Sequence, residues 1–114
     1  MATRFYISLP DAQRARGPDP RFAFTAVSAE GFAEQLQSAL REPTLFERWR
    51  AVQDDPDAVD PALGAVDRQA SVQGAQKDLH VDLVVTTSIP GTVLKQRLRL
   101  LAGSAWELRD VTSA

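Results

Sequence analysis

The chain has 114 residues, 44% of them hydrophobic and 25% charged, with a formal net charge of −2; this is the balance of one globular domain with a single core, not of a disordered chain. It has no cysteine, which removes disulfides, thiolate catalysis, iron–sulfur clusters and cysteine zinc sites together. The slight negative charge implies no bulk attraction to nucleic acid or to an anionic membrane, so any such affinity must come from a local patch.

The N-terminal residues lead straight into Phe5-Tyr6-Ile7-Ser8-Leu9-Pro10 without an apolar run of signal-peptide length. No stretch reaches the length of a membrane span. The expected location is therefore the cytoplasm, and eleven arginines against two lysines, with abundant alanine, resemble the output of a GC-rich bacterial genome. Arg4–Leu9 alternates Phe5, Ile7 and Leu9 against Tyr6 and Ser8, which predicts a strand ended by Pro10. Gly17, Pro18, Asp19 and Pro20 predict a loop. Arg21–Val27 predicts a second strand, with Phe22, Phe24 and Ala26 on one side.

Ser28 is placed as a helix N-cap, with Glu30 and Glu34 near the positive end of the helix dipole and Phe32, Leu36, Ala39 and Leu40 at helical spacing. Pro43 should stop this helix near Glu42. Thr44 to Glu47 matches a capping box, which predicts a second helix from Leu45 with Leu45, Phe46, Trp49 and Val52 as its apolar stripe. Asp60-Pro61 can cap and open a third helix over 61–73, although Val66, Arg68, Ala70 and Val72 also allow a strand there. The cluster Asp54, Asp55, Asp57 and Asp60 lacks the glycine and glutamate of a calcium loop, with Val59 and Ala65 at those positions. It reads as capping and solubilising residues.

From Leu79 to Thr112 the chain reads as a three-strand meander, turned at Ile89-Pro90-Gly91 and at Ala102-Gly103-Ser104. One face then carries Leu79, Val81, Leu83, Val85, Leu94, Leu98, Leu100, Trp106 and Leu108. The expected architecture is one α+β domain over residues 1–114: an antiparallel sheet of two N-terminal strands plus this meander, with the helical pair packed on one face.

The opposite face would present His80, Asp82, Lys95, Arg97, Arg99 and Arg109, with Glu107 facing Arg99. Such a row is commonly a solvated face whose cross-strand pairs cancel much of its charge. Its functional reading is a surface for an acidic partner: another protein, a second copy of this chain, or, as the weaker candidate, single-stranded nucleic acid. Sheet-based RNA readers stack bases on exposed aromatics, and this face offers only His80. A lone histidine cannot build a multi-histidine metal site, and beside Asp82 it is more often a surface residue than a general base. No phosphate loop, nucleophile elbow or zinc-ligand pattern is present, so neither catalysis nor a cofactor is expected. The leading expectation is a non-catalytic interaction module acting through the polar sheet face or a sheet edge.

Gln96 is the one polar residue on the apolar side of the meander, so it must lie at an edge, bond to backbone or line a cavity. A helical pair on a curved sheet ending in long hairpins, with Gly103 three residues before Trp106, resembles the cystatin-like and NTF2-like cone folds. That resemblance implies a small-ligand pocket, in some members an enzyme's, between helices and sheet near Gln96, Trp49 and Trp106. Such folds host binders and enzymes alike, so it implies no single activity.

Overall fold

A computed structural model describes residues 2–114. Strand β1 spans Thr3–Leu9, helix α1 Ala29–Arg41, helix α2 Thr44–Ala51, strand β2 Ser71–Lys77, strand β3 His80–Thr87, helix α3 Gly91–Ala102 and strand β4 Glu107–Ser113. The four strands form one antiparallel sheet in the order β2-β3-β1-β4. Each pair of parallel strands is thus separated by an antiparallel one. With the short α2 set aside, this is the β-α-β-β-α-β, split β-α-β arrangement also called ferredoxin-like. The α+β class and the antiparallel sheet are as the sequence predicts; the three-strand meander and the cone-fold resemblance are not, because a helix stands where the middle strand was expected.

β1 forms where alternation places it. Phe5, Ile7 and Leu9 are buried against α1 and α3. On the neighbouring strand Val85, Leu83 and Val81 lie opposite them and are equally buried. Ser28 caps α1 as expected, its hydroxyl accepting from the Gly31 amide at 3.1 Å. Phe32, Leu36 and Leu40 of α1 meet Leu94, Leu98 and Leu101 of α3 in one hydrophobic cluster over the sheet. Leu79, placed on the buried face by the sequence, sits instead at the tip of the β2–β3 hairpin and is 87% exposed.

Three further expectations are corrected. Residues 21–27 form no strand. β1 already has β3 and β4 as neighbours, so the sheet holds no place for them beside it. Their amides are satisfied otherwise: Phe24 donates to the Leu101 carbonyl at 2.8 Å, and Thr25 and Ala26 both donate to Oε1 of Gln35 at 2.9 and 2.8 Å. Phe22 and Phe24 still turn inward, Phe24 meeting Phe32 edge-on. α2 begins at Thr44 itself after a Pro43 cap, so Thr44 makes no capping box. Residues 61–73 are split: Asp60 caps a single 3-10 turn over Pro61–Gly64, its carboxylate accepting from Ala62 at 2.9 Å, and β2 starts at Ser71.

α3 is the largest correction. Val93, Leu94, Arg97, Leu98, Leu101 and Ala102 are its buried residues, a helical stripe. Pro90 and Gly91 open this helix instead of turning a hairpin, consistent with the fixed φ of proline suiting a helix start.

Candidate functional site

Both long helices pack on the same side of the sheet, which leaves the other side bare. Register defines that bare face. β1 contributes Arg4, Tyr6 and Ser8; β3 contributes Thr86, Val84, Asp82 and His80. β2 adds Gln73, Ala75 and Lys77 opposite Val84, Asp82 and His80. β4 adds Glu107 opposite Ser8 and Asp110 opposite Tyr6, with a bulge between them that brings Arg109 to the rim. The right-handed twist of a four-stranded sheet dishes this surface. A concavity of about 730 Å³ lies over Tyr6, Ser8, Val84, His80 and Asp82. Ser8 is only 7% exposed even though no backbone element covers it, which shows how far its neighbours enclose the floor.

The charge on this face sums to zero. Arg4, Lys77 and Arg109 supply three cations; Asp82, Glu107 and Asp110 supply three anions, His80 being left out of the count. His80 Nε2 lies 3.4 Å from Asp82 Oδ1, and Arg109 donates to Glu107 Oε2 at 2.8 Å. The Arg109–Glu107 pair is solvent-accessible, so it contributes on the order of a few tenths of a kcal/mol. Tyr6 and Val84, cross-strand neighbours, form the apolar centre.

The structure gathers only part of the basic row. His80 and Asp82 are on the bare face, where the alternation of β3 puts them, and Arg109 is at its rim, where the β4 bulge brings it. Lys95, Arg97 and Arg99 are not, because they belong to α3 on the far side of the sheet. Arg99 is exposed in the last turn of that helix and Lys95 is half-buried.

Arg97 is buried completely. Its guanidinium donates to the carbonyls of Ala39 at 2.9 Å and Leu63 at 3.0 Å, and to that of Ala65. Among the described residues no carboxylate pairs with it, and burial draws its pKa below the ordinary arginine value. Ala39 lies in the last turn of α1, whose carbonyls lack helical partners and carry the negative end of the dipole. Arg97 is therefore an internal clamp between α1, α3 and the 61–65 turn.

Gln96, Trp49 and Trp106 do not meet. Trp49 packs on Phe46 within α2, with ring centroids 6.0 Å apart. Gln96 is half-buried on α3, its Oε1 buried without a hydrogen-bond partner. Trp106 is half-buried just before β4, its indole N–H donating to the Gly103 carbonyl at 2.9 Å. It lines a separate concavity of about 710 Å³ with Arg16, Pro18, Arg99, Gly103 and Ser104. Tyr6 was legible as an outward-facing residue of its strand, but its meeting with Val84 depends on β1 pairing with β3, which no local pattern encodes.

Comparison with known protein families, curated proteins and solved structures finds no match to this chain. No helix among the described residues is long and apolar enough to cross a membrane.

Proposed function

We propose that this chain is a non-catalytic interaction module whose bare sheet face docks a second copy of itself. One observation carries the reading: a dished, charge-neutral sheet face with Tyr6 and Val84 at its centre and ionic groups of both signs around them. An apolar centre with a polar rim is the anatomy of a protein interface. Zero net charge lets two identical faces approach without repulsion, as a two-fold contact requires. It also gives a polyanionic backbone nothing to hold, since nucleic-acid affinity rests on phosphate neutralisation. The single aromatic at the centre, Tyr6, falls short of the stacking row that sheet-based RNA readers use.

Four strands about 4.8 Å apart and seven residues at about 3.3 Å each give a plane of roughly 19 by 23 Å before side-chain relief and rim are added. That is about half of the roughly 800 Å² a standard interface takes from each partner, and side-chain relief and the rim must supply the rest. The test is the solution mass by light scattering. A dimer is expected for the native chain, and Val84→Arg, which places a cation at the apolar centre without touching the core, should return it to the monomer. A native chain that stays monomeric at every concentration overturns the reading.

A further inference from the structure

Three surface concavities differ in one respect that decides what each can hold. The concavity on the bare sheet face includes Lys77 and Arg109 against Asp82 and Glu107, and so is balanced. A second, of about 520 Å³ between residues 20–25 and helices α1 and α2, holds Arg21 and Arg48 against Glu34 and Glu42, and is balanced too. The third is lined by Arg16, Pro18, Arg99, Gly103, Ser104 and Trp106, two cations and no acid, in a chain of net charge −2. Among the described residues neither Arg16 nor Arg99 forms an ion pair.

The walls of this third site are fixed by backbone. Gly17 donates its amide to the Leu101 carbonyl at 2.9 Å, and the approach is so close that a Cβ on Gly17 would lie 1.9 Å from the Leu100 oxygen. Residues 16–18 are thereby locked onto the end of α3. Arg16 is held in turn: it donates to the carbonyls of Ala15 at 3.1 Å and Ala26 at 2.7 Å, and its guanidinium lies 5.4 Å from the Phe32 ring centroid. Arg99 is exposed and, among the described residues, has no side-chain hydrogen bond. The Trp106 indole is oriented by its bond to Gly103. Placed cations and a pinned aromatic plane cost little reorganisation on binding.

We propose that this concavity binds a small organic anion, a planar ring carrying a phosphate or carboxylate, with Trp106 contacting the ring and Arg16 and Arg99 supplying the cations. The guanidinium of Arg99 matches both oxyanions through paired N–H donors, Arg16, whose two terminal nitrogens already donate to Ala15 and Ala26, adds positive charge beside it, and an aromatic face takes a flat ring. The volume falls within the range of small-molecule sites. Neither face of the sheet takes part, so the site stands apart from the dimer reading.

The two tryptophans make the test internal. In the ¹⁵N-labelled full chain the indole N–H signals of Trp106 and Trp49 are distinguished with Trp49→Phe, and Trp49 is the control. Adenosine monophosphate, benzoate, adenosine and inorganic phosphate are titrated at low salt. The Trp106 signal should move saturably with adenosine monophosphate, with benzoate or with both, which identifies the oxyanion, while Trp49 stays still. Arg99→Gln, at an exposed position, should weaken that binding about tenfold or more. A Trp106 signal unmoved by both ring anions at about 10 mM overturns the proposal. So does adenosine or inorganic phosphate binding as well as the ring anions, or an Arg99→Gln chain that binds them like the native one.

Discussion

Arg97 and Ala39 lie 58 residues apart in the chain, and the guanidinium of one donates to the carbonyl of the other at 2.9 Å inside the core. The same side chain reaches Leu63 and Ala65. One cation therefore satisfies three carbonyls from two segments, that of Ala39 in the core and those of Leu63 and Ala65 at its margin. Replacing a complete buried ion pair by apolar groups can be neutral, but here the acceptors are backbone and remain. Arg97→Met should destabilise the fold by about 3 kcal/mol, and Arg97→Lys by about 2, because one ammonium nitrogen cannot stand at both the Nη1 position beside Ala39 and the Nη2 position beside Leu63 and Ala65. Urea unfolding measures both; a native midpoint for Arg97→Met removes the clamp.

Asp67 ties the segment before β2 to the turn after β3. Its carboxylate accepts from the Ser88 amide at 3.0 Å, the Gln69 amide at 2.9 Å and the Thr87 hydroxyl at 2.9 Å. These bonds, that from Ser88 foremost, hold its pKa below the ordinary 3.8 against the opposing effect of burial. A depressed folded-state pKa contributes stability that is present above the unfolded value and is lost as pH falls through the folded one. The stability difference between the native chain and Asp67→Ala should thus be constant above about pH 5 and shrink steadily below 3.8. A difference that grows on acidification contradicts this.

Gly17 has no room for a side chain, since its Cβ would stand 1.9 Å from the Leu100 oxygen. Backbone, not a flexible side chain, is in the way, so Gly17→Ala must push residues 16–18 off α3. A loss of about 3 kcal/mol is expected, together with a displaced Trp106 indole signal and an unshifted Trp49. Native stability in this variant shows that the loop is not locked.

The dimer reading carries a charge test. A two-fold axis lying in the interface along the strands exchanges the β2 and β4 edges while keeping height along the strand. Lys77 at the end of β2 then approaches Glu107 at the start of the partner copy's β4. Lys77→Glu should weaken association about tenfold, and adding Glu107→Lys should restore most of it. Sedimentation equilibrium separates these outcomes; a double variant as weak as the single excludes this geometry.

Local chemistry encoded β1, α1 and β3 outright. Phe5, Ile7 and Leu9 alternate and Pro10 stops them; Ser28 caps a helix that Pro43 ends; Val81, Leu83 and Val85 alternate through a β-branched run. Each rests on neighbours in the chain, and so does the placing of His80 and Asp82 on an outward face. Residues 91–102 rest on something else. Leu94, Leu98 and Leu100 against Lys95, Arg97 and Arg99 satisfy a period of two, while Val93, Leu94, Arg97, Leu98 and Leu101 satisfy a helical stripe if Arg97 may be buried. An arginine can be buried only where acceptors await it, and those are the carbonyls of Ala39, Leu63 and Ala65, supplied by distant segments. Tertiary packing chose helix over strand, and with it moved three cations off the sheet onto α3, buried Arg97 among them, and left Tyr6 and Val84 at the centre of an uncovered face.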